Sequence, residues 1–175
     1  MKTAILTTIL CLAVAVSAFG QKSSDKAYKI RGQARGVTVT FQGKAHFLNL
    51  GEQIDAARVT ETELMFVSQK QGFRYLLIDV SGWSRAKQNN QQCGAGTEAN
   101  LIWIKLDAAW KIADVKSVRY ESCFGSAEVY DGFTRTKNSL SGVIDDFSQN
   151  KNIKFAYNAD EPEKGLQIEE TTNKK

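Results

Sequence analysis

The chain has 175 residues, 23 basic and 19 acidic, and a single histidine. That length suits one domain with a proper core, and the mild positive charge is spread along the chain. No concentrated basic run marks a nucleic-acid binder, and one histidine with scattered cysteines excludes the usual zinc ligand spacings.

The first twenty residues read as an address. Lys2 precedes an apolar run from Ala4 to Val16, and Ala18-Phe19-Gly20 presents small residues where a signal peptidase cuts. Residues 1–20 are therefore expected to be a cleaved secretory signal peptide, leaving Gln21 as the mature N-terminus. The run is short for a bilayer span, and no second one follows. A retained anchor would need about 20 apolar residues. Lipidation at Cys11 is disfavoured by bulky Leu10 before it. The expected destination is secreted or periplasmic, with no integral membrane segment in the mature chain. Cleavage removes only Lys2 among the charged residues, so 22 basic residues face 19 acidic ones, a net of +3.

Gln21–Ala34 is polar without clear periodicity and reads as a flexible lead-in at 21–34. A single β-rich domain is expected over 35–170. Val37, Val39 and Phe41 alternate with threonines, the pattern of a half-buried strand, and the turn Gln42-Gly43-Lys44 lets Ala45–Leu50 run back. Gly51–Arg58 could form two helical turns. Glu63–Ser68 and Phe73–Val80 flank Gln69–Gly72 as a hairpin with a four-residue loop. The second of these strands is apolar on both faces, as is Leu101–Leu106, so both should be covered on two sides. Val115–Ser122 is a further strand after a linker near Asp107–Ala113. Gly142–Ser148 could form one helical turn. Ile153, Phe155 and Tyr157 alternate with Lys154, Ala156 and Asn158, and Leu166–Glu169 follows a turn. Residues 171–175 are expected to be a disordered tail. The fold class expected is all-β: a single-domain antiparallel β-sandwich or open barrel with one disulfide and at most two short helices.

Cys93 and Cys123 are the only thiols after the leader, and an oxidising compartment favours a disulfide between them. It would close a loop of about 31 residues, worth about 3–4 kcal/mol in the chain-entropy model. A redox pair would want Cys-x-x-Cys, which is absent.

The polar stretch Ser81–Ala99 is the segment that reads as functional. It carries Trp83, then the amide run Gln88, Asn89, Asn90, Gln91 and Gln92, then Cys93 and Glu98. Amides supply paired donors and acceptors, and an indole offers a stacking face. With Trp110 at a turn, these are the candidate ligand-binding residues; a solvated surface loop is the plainer alternative. Trp103, inside a strand, reads as core. Tyr120, Tyr130 and Phe133 flank Cys123 and read as packing first.

No catalytic residue is assigned. Ser81-Gly82-Trp83-Ser84 lacks the spacing of a hydrolase elbow, and His46 sits among apolar neighbours as a packed or edge residue. Asp79, Glu98, Asp107, Asp131, Asp145 and Asp146 could pair as glycosidase carboxylates do. Asp145-Asp146 lacks the acidic spacing of a calcium loop. No phosphate loop or dinucleotide fingerprint is present, so no cofactor or metal is expected. The reading is an exported, non-catalytic binding domain for a small molecule, a glycan or a protein partner. The alternatives are a secreted hydrolase using paired carboxylates, or an envelope-associated inhibitor or structural protein. Nucleic acid is not an expected partner.

Overall fold

The structure, a computed structural model, describes residues 27–84, 96–123, 125 and 127–172, Tyr130 by its backbone alone. Eleven strands run β1 (Tyr28–Gln33), β2 (Gly36–Phe41), β3 (Lys44–Asn49), β4 (Ala56–Lys70), β5 (Phe73–Ser84), β6 (Thr97–Leu106), β7 (Ile112–Ser122), β8 (Ala127–Arg135), β9 (Ser139–Asp146), β10 (Lys151–Asn158) and β11 (Gln167–Thr172). They form two antiparallel sheets, β1-β2-β3 and an eight-stranded meander in chain order from β4 to β11. Among the described residues there is no α-helix, and none is long and apolar enough to cross a membrane. A short 3-10 turn spans Pro162–Lys164.

Short turns make the hairpins local. Gln71 and Gly72 both have positive φ, 52° and 80°, and Lys70 pairs with Phe73. The loop is therefore a two-residue one, tighter than the four residues expected, and its twist matches the strands it joins. Both helical expectations fail. At Gly51–Arg58 a turn over 51–53 leads into β4, which buries Ala56 and Val59 beside Ile54. At Gly142–Ser148 the chain stays extended through Asp146, because Leu140 and Ile144 must reach the core on one face. Asp146 then closes the turn, accepting from Ser148 Oγ at 2.6 Å and the Gln149 N–H at 3.0 Å.

β1 lies inside the expected lead-in, and β11 extends to Thr172 inside the expected tail. Polar side chains hid β1, every second residue of which faces solvent, and the continuation of the expected Leu166–Glu169 strand to Thr172, which is exposed throughout. Residues 1–26, which include the expected signal peptide, and residues 173–175 lie outside the described residues.

β5 and β6 are covered on both faces, as their sequences predict. On one face Leu76, Ile78, Val80, Ile102, Ile104 and Leu106 pack under β1–β3 against Val37, Val39 and Leu48. On the other, Tyr75, Leu77, Leu101 and Trp103 meet Leu140, Ile144, Phe155 and Tyr157 from β9 and β10. The meander can turn back over itself because β7 and β8 pair only at Ser122 and Ala127. Two buried clusters result, one on each face of β5 and β6.

A candidate acidic cleft on β4, β5 and β7

Along the reverse face of β5, coverage runs out stepwise. Tyr75 and Leu77 are buried, Asp79 and Ser81 half-buried, and Trp83 is 56% exposed. These five residues share one face because strand side chains alternate. Opposite them, Glu63 pairs in register with Asp79, and Glu61 with Ser81. Carboxylates directly opposed across a ladder repel. They are tolerated here where the sheet opens to solvent.

Bulges aim the remaining groups. β7 carries an extra residue where Ala99 faces Glu121 and Asn100 faces Arg119, which makes Tyr120 the bulged position. A bulge re-aims its side chain, and Tyr120 reaches across β6 to donate its hydroxyl to Asp79 Oδ1 at 2.8 Å. Phe133 holds the ring edge-on at 4.9 Å, itself backed by Phe155 at 5.5 Å. β4 is bulged on both sides of Glu61–Leu64.

The product is a cleft of about 200 Å³ lined by Glu61, Thr62, Glu63, Asp79, Ser81 and Tyr120. Burial raises the Asp79 pKa above the ordinary aspartate value, the Tyr120 hydrogen bond opposes that, and Glu63, Glu61 and Glu121 add to the rise. The Tyr120 hydroxyl is pushed up as well, first by burial and then by the Asp79 charge. Glu63 is held by Arg135, whose Nη1 lies 2.7 Å away and whose Nη2 donates to the Met65 carbonyl at 3.0 Å. Among the described residues no group of three or more His, Cys, Asp or Glu is arranged to hold a metal ion.

The structure separates the residues grouped by sequence. Trp83 lies two residues beyond Ser81 on the same face of β5, next to the cleft but outside its lining. Glu98 is fully buried on the opposite face of β6, its Oε1 accepting from Ser84 Oγ at 2.8 Å, so it is an interior group. Trp110 lies beyond Leu106, at the far end of β6 from Trp83's partner Thr97, about 30 Å away at strand rise. There it stacks on His46 at 4.0 Å within an aromatic nest with Tyr28 and Phe41, and Arg74 lies over its ring. His46 is thus packed, as its neighbours predict, and Trp110 leaves the candidate site. Gln88, Asn89, Asn90, Gln91, Gln92 and Cys93 lie outside the described residues. Of Ser81–Ala99, residues 81–84 belong to β5 and 97–99 to β6, and the rest of the expected loop apart from Gly96 lies outside the described residues.

Of the carboxylates singled out by sequence, only Asp79 enters the cleft. Asp107 instead closes a turn, accepting from the Ala109 and Lys111 amides at 2.8 and 2.9 Å. Sequence reasoning missed Glu61, Glu63 and Tyr120 as site residues. Their signal was the alternating Glu61-Thr62-Glu63 run, whose meaning depends on which strand it faces.

No protein-family model matches the chain, and no curated protein or solved structure matches it significantly.

Proposed function

We propose that the chain is an exported, non-catalytic binding domain whose acidic cleft takes a small amine-bearing molecule, an amino sugar being the natural case. The observation that carries this reading is the Asp79–Tyr120 hydrogen bond on the cleft floor, ringed by Glu61, Glu63 and Glu121. Arg135 offsets one of these charges. A partly desolvated site with excess negative charge favours a cation, because the ligand relieves the carboxylate repulsion that adds to the effect of burial in raising Asp79. Exposed Trp83 gives a ring or ammonium group an aromatic face at the rim. The leader-like residues 1–20 support export, and the two buried clusters flanking β5 and β6 support a sandwich over a barrel.

Titration of the mature protein with glucosamine, with glucose as the neutral control, tests the reading through Trp fluorescence. Glucosamine is expected to bind, and equal binding of glucose would overturn the amine assignment. Asp79→Asn should abolish glucosamine binding yet raise the melting temperature at neutral pH. The folded-state pKa of Asp79 lies above its unfolded value, so its ionisation opposes folding. Stability from this group is present below the unfolded pKa and is lost as pH rises through the folded one. The gain in Asp79→Asn should therefore shrink as the pH falls towards 4. Trp83→Ala should weaken binding about thirtyfold, the low end for an aromatic hot spot, with the melting point unchanged.

A second reading, a hydrolase with paired carboxylates, draws on the same pair. Asp79 is biased towards its protonated form while Arg135 keeps company with Glu63, a split that acid–base catalysis uses. Turnover of aryl glycosides that Glu63→Gln and Asp79→Asn both abolish would favour it.

We further infer a Cys93–Cys123 disulfide. The Cys123 N–H donates to the Thr97 carbonyl at 3.2 Å, and a Cβ built on Gly96 would lie 2.5 Å from Cys123 Sγ. Cys93 is three residues upstream of Gly96, within the roughly 10 Å that three extended residues span. Denatured, unreduced protein should show no titratable thiol. Replacing both cysteines by serine should lower stability by about 3–4 kcal/mol. Two titratable thiols would remove the bridge.

A further inference from the structure

Lys29 to Gly51 contains four cations, Lys29, Arg31, Arg35 and Lys44, and no carboxylate. Folded as β1-β2-β3, this segment turns its apolar residues onto the core and presents a second face to solvent. Strand register places that face in three rows: Lys29, Thr40 and Ala45; Arg31, Thr38 and Phe47; Gln33, Gly36 and Asn49. Lys29, Arg31, Gln33 and Asn49 are exposed, and Phe47 is 56% exposed. Arg35 joins them from the β1–β2 turn, where Gln33, Ala34, Arg35, Phe47 and Asn49 line a shallow pocket of about 280 Å³. Among the described residues Lys29, Arg31 and Arg35 have no ion-pair partner. The cations on β1 stand about 7 Å apart, two residues along a strand.

We propose that this outer sheet face is a second binding site, which takes an acidic polysaccharide laid across β1–β3. Charge complementarity supplies the attraction: uncompensated cations on a flat face draw an extended polyanion. Hydroxyl and amide groups from Thr38, Thr40, Gln33 and Asn49 lie between the cations and match sugar hydroxyls. Phe47 offers one apolar face for a ring. A membrane surface would call for a broad apolar face. Of the exposed large apolar residues Phe47, Trp83, Phe147 and Ile168, only Phe47 lies on this sheet. Single-stranded nucleic acid is bound by several aromatic platforms in series, and this face carries one. The site is independent of the acidic cleft, which lies on β4, β5 and β7 and has the opposite charge.

Affinity electrophoresis of the mature protein in gels holding polygalacturonate, with neutral dextran as control, tests this. Retardation is expected in polygalacturonate only, falling steeply as salt rises, since it depends on screened charges. Lys29→Gln with Arg31→Gln should weaken it at least about tenfold, as should the corresponding double glutamate variant. Phe47→Ala should weaken it about fivefold at unchanged melting temperature, within the range for stacked aromatics. Asp79→Asn should leave it intact, which keeps this outcome separate from that of the cleft. Four results would overturn the proposal: no retardation, equal retardation in neutral dextran, indifference to the Lys29 and Arg31 changes, or tighter binding to oligo-dT or phosphatidylserine vesicles.

Discussion

Trp103→Ala is expected to remove most of the stability of the domain. Trp103 is 1% exposed in the doubly covered strand β6, and its Nε1–H donates to the Pro162 carbonyl at 3.0 Å. Its ring stacks with Tyr75 at 6.0 Å between centroids, and Gly165 lies against its edge, where a Cβ would come within 3.4 Å. Truncation of such a residue costs about 3–5 kcal/mol through lost transfer energy and the cavity left behind. The Pro162 carbonyl keeps its second donor, the Gly165 N–H at 3.2 Å, so only the net value of one hydrogen bond, about 1 kcal/mol, is lost besides. Against a typical total of about 5–15 kcal/mol, that is enough to populate the unfolded state at 37 °C. Urea unfolding followed by circular dichroism measures it. Trp103→Phe should recover more than half of the loss, since it keeps the packing and gives up only the hydrogen bond and one ring. A loss below about 1.5 kcal/mol, the level of an ordinary substitution, would mean that the two β layers do not meet on this indole.

Gly82→Ala is expected to do comparable damage through the backbone. Gly82 lies in β5 between Ser81 and Trp83, and a Cβ there would sit 2.0 Å from the Arg58 carbonyl oxygen and 3.0 Å from the Ala56 methyl. The partner atom is main chain, fixed in a strand that bulges at this point between Ala56 and Arg58 and again between Val59 and Glu61. No rotamer change relieves that approach, so β4 and β5 must separate. Overpacking usually costs about 1–3 kcal/mol, and a main-chain clash belongs at or above the upper end. Because Glu61 and Ser81 face each other beside the clash, the variant should also lose glucosamine binding by more than its stability explains. Chemical denaturation and titration, each at a temperature where the variant is folded, separate the two effects. A variant as stable as the parent would show that the strands are not so closely apposed.

Sequence alone determined the class of the fold and its most buried strands. Alternation of Val37, Val39 and Phe41, and of Phe155 and Tyr157, announces strands because side chains in an extended chain alternate faces. Continuous apolar runs in Leu76–Val80 and Leu101–Leu106 announce cover on both sides, and β5 and β6 have it. Where the pattern is interrupted, reading fails. β4 carries three register shifts, each of which swaps faces, so only Glu63–Ser68 of its fifteen residues was legible. β1 and the end of β11 beyond Glu169 were illegible because a strand with one or both faces in water has little apolar signal to give.

Both proposed sites were decided by tertiary structure. Glu63 and Asp79 are sixteen residues apart and meet only through the β4–β5 register. Tyr120 joins them through a bulge on β7. The β5–β6 register sets Trp83 beside Thr97, at the opposite end of β6 from Trp110. The cations of Lys29–Lys44 look dispersed along the chain. Three antiparallel strands fold their spacing into an area a few residues across. Local periodicity states which face of a strand each residue occupies. Which faces then come together is set by hairpin register, bulge position and the turning of one layer over another, and these depend on contacts between distant parts of the chain.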